Sequence, residues 1–107
     1  MKRPRTVVFL GSSKKDLQDF PEAARHDLGH ELWVVQNDRE PKDWKSMPSV
    51  GPGVRELRTR EASGAFRAIY VVKIADKVHV LHAFQKKTKQ TAQKDIDLAK
   101  RRYREVI

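Results

Sequence analysis

The sequence predicts a small α+β domain in which helices pack on an antiparallel sheet of about four strands. The central observation is a run of three strand-like segments, Val54–Arg60, Ala65–Ile74 and Lys77–Gln85, each rich in β-branched or aromatic residues. The breaks between them are short, because residues 61–64 contain a glycine typical of a hairpin loop and residues 75–77 suit a tight turn. Two consecutive hairpins give an antiparallel meander, and the patterns around it complete the order strand, helix, helix, three strands, helix.

The chain begins with a short strand and a short helix. Thr6–Leu10 is apolar and of strand length, and Gly11 ends it. Because this strand is apolar on both faces, we expect both faces to be covered. Ser12 or Ser13 can cap a helix over about residues 14–19.

A longer amphipathic helix follows. Pro21 suits its first turn, and the helix is predicted to end near Asn37. Its apolar residues recur at steps of four and three and so form one stripe, which consists of Ala24, Leu28, Leu32 and Val35. We expect this stripe to lie on the meander, and we expect Trp33 to anchor the core or a loop.

The remaining elements are a loop and a final helix. Arg39–Gly53 contains three prolines and two glycines, so it is predicted to be a loop, which Trp44 and Met47 pack into an ordered conformation. Thr88 or Thr91 is expected to cap the final helix. The apolar face of that helix consists of Ala92, Ile96, Ala99 and Tyr103.

Composition limits the functions open to this chain. A length of 107 residues predicts one domain over residues 1–107. The sequence has no cysteines, which excludes structural disulfides and thiolate metal sites, and no apolar run approaches the roughly 20 residues of a membrane helix. We therefore expect a soluble, cytoplasmic protein. Its 23 Lys and Arg residues against 14 Asp and Glu residues give a net charge of +9, which favours polyanionic partners, above all nucleic acid.

Alternation along the meander separates an apolar face from a basic one. The apolar face, which is expected to pack on the helices, consists of Phe66, Ala68, Tyr70, Val72 and Ile74. Arg67 and Lys73 then lie on an opposite, open face, with Arg58 or Arg60 as a cross-strand neighbour. Because neighbouring like charges destabilise a sheet, this pattern indicates an anionic ligand or Glu56 as a partner; solvated charges on an exposed face are the alternative.

Lys86 and Lys87 follow at the end of the last strand. Adjacent strand residues point to opposite faces, so only one of them can join Arg58 and Arg67 while the chain is extended, whereas both can if the strand breaks there. Like charge nearby lowers the pKa of a lysine and enables it to act as a base or acid near neutrality. Two solvated lysines are the alternative.

The histidines do not form a metal-binding pattern. His79 and His82 are three residues apart on a strand, which predicts opposite faces, and His82 is expected to pack in the core. His26 and His30 are four apart on the second helix but lack a third ligand, which favours a surface position. We predict neither a metal nor another cofactor.

Five segments carry a resemblance to a known family: Phe9–Leu17, Val54–Arg58, Phe66–Tyr70, Leu81–Thr88 and Ile96–Arg102. Two motifs within them are fairly specific when they occur together, Glu56-Leu57-Arg58 and Phe84-Gln85-Lys86-Lys87-Thr88. In this order and spacing the segments resemble the phage-derived HigB-like branch of the RelE/ParE toxin superfamily. The resemblance covers nearly the whole chain and implies a RelE-like fold.

This resemblance implies the toxin of a type II toxin–antitoxin pair. Typical members enter the ribosome and cut mRNA in the decoding site, until a cognate antitoxin neutralises them. The reaction is attack of a ribose 2′-OH on the neighbouring phosphate, which leaves a 2′,3′-cyclic phosphate and a 5′-OH. The expected partners are therefore the ribosome, mRNA and a helix-turn-helix antitoxin, with DNA contacted only through the antitoxin complex and no membrane involved.

At the matching positions, the resemblance implies Arg58 and Arg67 as phosphate clamps and Lys86 or Lys87 as the base or cation. Glu56 is expected to orient Arg58. Three further basic residues are expected to bind the substrate, namely Arg60, Lys73 and Lys89. Two other functions stay open, because the ParE-like branch shares the fold but poisons DNA gyrase, and a plain nucleic-acid-binding domain has similar charge.

Overall fold

The computed structural model describes residues 3–72 and 75–107, and these ranges contain five strands and three helices. In chain order the elements are β1 (Val7–Phe9), α1 (Ser13–Gln18), α2 (Glu22–Gln36), β2 (Trp44–Ser46), β3 (Arg55–Glu61), β4 (Gly64–Val71), β5 (Val78–Lys86) and α3 (Gln93–Val106). This confirms the α+β class and the order of the predicted elements. Two residues of the predicted second strand, Lys73 and Ile74, lie outside the described residues.

All five strands form one sheet, in the order β1-β5-β4-β3-β2. The meander β3–β4–β5 is antiparallel as predicted, but β1 runs parallel to β5, and β2 adds a strand within the predicted loop. The sheet is therefore mixed and larger than expected. β2 has only three residues, too few for a recognisable alternation. The parallel pair joins Val7 to Val78. These residues are far apart in the sequence, so no local pattern predicts that their strands pair.

Helices cover both faces of this sheet. α1 and α2 pack on one face, where the predicted stripe of α2 is buried against Phe66, Ala68 and Tyr70. α3 packs on the other face, where Ile69 and Val71 are 0% and 1% exposed. The prediction that this second face is open is therefore wrong. Its apolar residues and the apolar face of α3 bury each other, which removes both from water.

A register shift in the β4–β5 pair changes which residues share a face. Ile69 lies opposite His82 and Tyr70 lies opposite Val80, so two residues of β4 span three of β5, with Leu81 as part of the bulge. Beyond the bulge, Val71 lies opposite His79. Since directly opposed residues share a face, both histidines point towards the α3 side. The prediction that they lie on opposite faces is wrong, because strict alternation fails at a bulge.

The helix starts also differ from the predicted caps. Ser12 occupies the N-cap position of α1, but its hydroxyl donates to Asp16 Oδ2 at 2.7 Å instead of accepting a backbone N–H. The N-cap of α3 is Ala92, so neither Thr88 nor Thr91 caps that helix. The Thr91 hydroxyl therefore makes no capping hydrogen bond to α3.

Of the two tryptophans, only one packs as expected. Trp33 is 50% exposed on α2, where its ring stacks with His30 at a centroid distance of 5.7 Å. Trp44 and Met47 do order their loop, because Met47 is buried and the Arg55 guanidinium lies 3.8 Å from the Trp44 ring centroid. No helix among residues 3–72 and 75–107 is long and apolar enough to cross a membrane.

Replacing Gly11 with alanine is expected to lower the free energy of unfolding by about 2 kcal/mol. Gly11 has φ +53°, in the left-handed region, and an added Cβ lies 2.6 Å from the guanidinium of Arg102. That guanidinium is held in place, since it donates to the Leu81 carbonyl at 3.0 Å and to the Ser12 hydroxyl at 3.3 Å. Urea unfolding followed by circular dichroism measures the change.

Gly29→Ala is the matched control. Gly29 lies within α2, and no heavy atom comes within 4 Å of its added Cβ, so alanine there is expected to raise the free energy of unfolding by about 0.5–1 kcal/mol. A Gly11→Ala protein that unfolds at the wild-type urea concentration contradicts the prediction.

Candidate functional site

Basic side chains converge near the β3–β4 hairpin, on the sheet face that α3 partly covers. Arg58 of β3 lies directly opposite Arg67 of β4. Ala65 of β4 lies between Arg60 of β3 and Lys86 of β5 and is paired with both. Because opposed residues share a face, these four cations point the same way. We call this set, with one further lysine described below, the basic face: Lys45, Arg58, Arg60, Arg67 and Lys86.

Lys45 is a member that the sequence did not indicate. It lies on β2, opposite Glu56 of β3, and its positive charge helps to lower the pKa of Lys86. A single lysine in a loop rich in proline carries no periodic signal. Only the pairing of β2 with β3 places it on this face.

A buried ion pair lies within the basic face. Arg67 Nε is 3.3 Å from Glu56 Oε1, and the two side chains are only 4% and 2% exposed. Arg67 also donates from Nη1 to the Phe66 carbonyl at 3.2 Å. The ion-pair partner of Glu56 is therefore Arg67, whereas the family resemblance implied that Glu56 would orient Arg58. Burial lowers the pKa of Arg67, an effect that Glu56 opposes and Arg58 reinforces.

Lys86 ends β5 on this face and is half-buried. Its pKa is lowered, first by burial and then by the positive charge of Arg67, while Glu56 acts in the opposite direction. The like-charge effect expected from the sequence is thus present, although burial is the largest single cause of the lowered pKa. A lysine whose pKa is lowered holds more of the neutral amine at a given pH, and the neutral amine is the form that can accept a proton.

The other predicted basic residues lie further out. Lys87 and Lys89 are exposed in the segment between β5 and α3, and Arg60 is exposed at the margin of the basic face. Lys73 lies outside the described residues. β5 ends at Lys86, so Lys87 has no place in the strand register, and only Lys86 is assigned to the basic face. A groove of ≈ 340 Å³ adjoins it, lined in part by Phe84, Lys86, Lys87, Lys94 and Asp95.

His82 packs in the core, as the sequence predicts. It is 6% exposed, its Nε2 lies 2.8 Å from Asp95 Oδ1, and its ring stacks on Phe84 at a centroid distance of 4.8 Å. This pair ties the first turn of α3 to β5. The histidine therefore helps to hold the helix on the sheet.

A second cavity of ≈ 440 Å³ lies towards the opposite end of β3 and β4, with Arg5 and Arg55 in its lining. Both arginines are already paired, Arg5 with Asp38 and Asp76 and Arg55 with Glu40. The basic face offers more unneutralised positive charge, which makes it the better candidate for a polyanion.

The chemistry available at the basic face is that of fixed positive charge beside a lysine. Such a site can bind a phosphate, stabilise extra negative charge on it and accept a proton. Within the described ranges, no group of three or more His, Cys, Asp or Glu side chains could hold a metal ion.

A family model whose description is "Phage derived protein Gp49-like" matches residues 15–104, a span that includes every member of the basic face. No curated protein matches the chain.

Proposed function

The chain belongs to the phage-derived Gp49-like family, and on this premise we propose that it is a ribosome-dependent endoribonuclease of the HigB-like type, which cuts translated mRNA. The family is one of RelE-like toxins, and membership implies a cognate antitoxin as a partner. In this proposal the antitoxin is a helix-turn-helix protein, DNA is contacted only through the toxin–antitoxin complex, and the ribosome presents the mRNA.

The convergence of Arg58, Arg67 and Lys86 carries this proposal. Two opposed arginines on a sheet repel each other unless an anion lies between or beside them. Glu56 neutralises one of them, so the face keeps an excess of positive charge. That excess suits the scissile phosphate, whose charge grows as the reaction proceeds.

In the proposed reaction, Arg67 and Arg58 hold the non-bridging oxygens of the phosphate. Lys86 Nζ accepts the proton of the ribose 2′-OH as the 2′-oxygen forms its bond to phosphorus. The bond from phosphorus to the 5′-oxygen of the next nucleotide breaks, and that oxygen takes a proton from water. The products are a 2′,3′-cyclic phosphate and a 5′-OH.

The outer cations have a binding role in this proposal. Lys45 and Arg60 border the arginines, and Lys87 and Lys89 lie on the exposed segment that follows β5. We assign these four to phosphates that flank the cleaved one, where each contributes through charge. Alignment of the 2′-OH with the phosphate comes from the decoding site, and such alignment supplies a large share of the rate enhancement.

Induced expression in a bacterium tests the proposal, with RNA 5′ ends mapped across the transcriptome. Wild-type protein is expected to stop growth and to produce new 5′-OH ends within translated codons, and Lys86→Met is expected to abolish both. Lys15→Ala is the matched control, because Lys15 is an exposed lysine on α1 whose partner is Asp19. Growth arrest without new ends points to gyrase as the target, and unimpaired growth points to a binding domain; either result refutes the nuclease proposal.

A further inference from the structure

The hydroxyl of Thr91 contacts a buried carboxylate of the sheet. Thr91 Oγ1 donates to Glu56 Oε2 at 3.0 Å, although the two residues are 35 positions apart in the sequence. Thr91 lies just before the N-cap of α3, in the segment that carries Lys87 and Lys89. This hydrogen bond therefore joins the segment after β5 to the centre of the basic face.

Glu56 has one hydrogen bond and one ion pair, each at a different carboxylate oxygen. Oε2 accepts from Thr91, and Oε1 faces Arg67 Nε at 3.3 Å. The residue is 1% exposed, so water does not replace a lost partner easily. Because a carboxylate is planar, a hydrogen bond that holds one oxygen restricts where the other can lie. The Thr91 hydroxyl therefore influences how Glu56 meets Arg67.

From this geometry we infer that Thr91 is a positioning residue, which acts through Glu56 to hold the Arg67 guanidinium in its catalytic orientation. The inference rests on the proposed function, in which Arg67 binds the scissile phosphate. Thr91 itself touches neither the phosphate nor the 2′-OH. Its role is to couple the placement of the segment between β5 and α3 to the placement of the arginine.

Removing the hydroxyl is expected to slow the chemical step more than it weakens binding. Thr91→Val keeps the shape of the side chain but leaves one oxygen of a buried carboxylate without its donor. Hydrogen bonds to charged groups are among the stronger ones, so a fall in kcat of about 10- to 100-fold is expected. KM should change by less than about threefold, because the outer cations that bind flanking phosphates are untouched. Thr91→Ser keeps the donor and is expected to restore most of the rate.

Thr88→Val is the matched control for Thr91→Val, because it makes the same substitution in the same segment. Thr88 is exposed, and its hydroxyl donates to the Gln90 carbonyl within the segment. Its loss is expected to leave kcat near the wild-type value. The assay uses purified full-length protein on ribosomes programmed with a defined mRNA, with cleavage followed over a range of ribosome concentrations.

A second measurement does not depend on cleavage. The Nε–H signal of Arg67 in a nitrogen-15 NMR spectrum is expected to shift or exchange faster in Thr91→Val but not in Thr91→Ser or Thr88→Val. If wild-type protein cuts no RNA, the proposed function fails while the NMR result still decides whether Thr91 positions Arg67. An unmoved Arg67 signal in Thr91→Val, or an equal loss of kcat in Thr88→Val, overturns the inference.

Discussion

Arg67→Ala is expected to abolish cleavage and to lower the free energy of unfolding by about 3–5 kcal/mol. The stability loss arises because Glu56, 1% exposed, would keep only the Thr91 hydroxyl among the described residues as a partner for a buried negative charge. In the proposed mechanism the phosphate also loses a fixed cation, which is expected to cost at least about 100-fold in kcat. Urea unfolding and the programmed-ribosome assay measure the two effects separately.

A double-mutant cycle separates the buried charge from the arginine itself. Combining Glu56→Gln with Arg67→Ala is expected to recover part of the lost stability, because the uncompensated charge is gone, but none of the activity. Arg60→Ala is the control, since Arg60 is an exposed arginine on the same face and its loss should change the free energy of unfolding by less than about 0.5 kcal/mol. If Arg67→Ala unfolds at the same urea concentration as the wild type, the ion pair contributes nothing to stability, and the prediction is wrong.

Lys86→Met is expected to lower kcat by about 10²- to 10⁴-fold, the usual contribution of a general base. Unlike Arg67→Ala, it should leave stability unchanged or slightly improved. Methionine keeps the apolar part of the side chain, and the substitution removes a positive charge from the neighbourhood of Arg67 and Arg58. Loss of activity in a protein that unfolds normally therefore distinguishes a chemical role from a structural one.

The pH dependence of cleavage tests the form in which Lys86 acts. A base must be unprotonated, so the rate is expected to rise with pH and to level off above the pKa of Lys86. Since burial and Arg67 lower that pKa, the inflection should lie below the ordinary lysine value of 10.5. Lys86→Arg, which cannot lose its proton at these pH values, should show a low rate without this rise. A rate that falls as pH rises would instead mark Lys86 as a cation.

The elements that the sequence predicted well are those whose signal is local. The meander was recognisable because Arg67 alternates with apolar neighbours, and α2 because Leu28 and Leu32 repeat at the helical period. The same alternation predicted Arg58 or Arg60 as the cross-strand neighbour of Arg67, and the structure shows that the neighbour is Arg58. Local periodicity depends only on neighbouring residues, so it can be recognised without knowing which distant segments contact each other.

What the sequence did not predict depends on contacts between distant segments. Arg67 was expected on an open face, yet Ile69 and Val71 beside it were apolar residues that required cover, which α3 supplies. The role of Thr91 was mistaken because a threonine before a helix suits a cap as well as it suits a distant carboxylate. Lys45 was missed because its strand exists only through pairing with β3.

The parallel pairing of β1 with β5 has a consequence for the order in which the protein is made. β1 cannot pair until Val78 and the rest of β5 have been synthesised, so a nascent chain carries its first strand without a partner strand until then. β5 also carries Lys86, and therefore the step that completes the sheet completes the basic face. While the chain is still growing, the arginines of β3 and β4 are present without their lysine. The basic face is therefore complete only once β5 has been synthesised and has paired with β4.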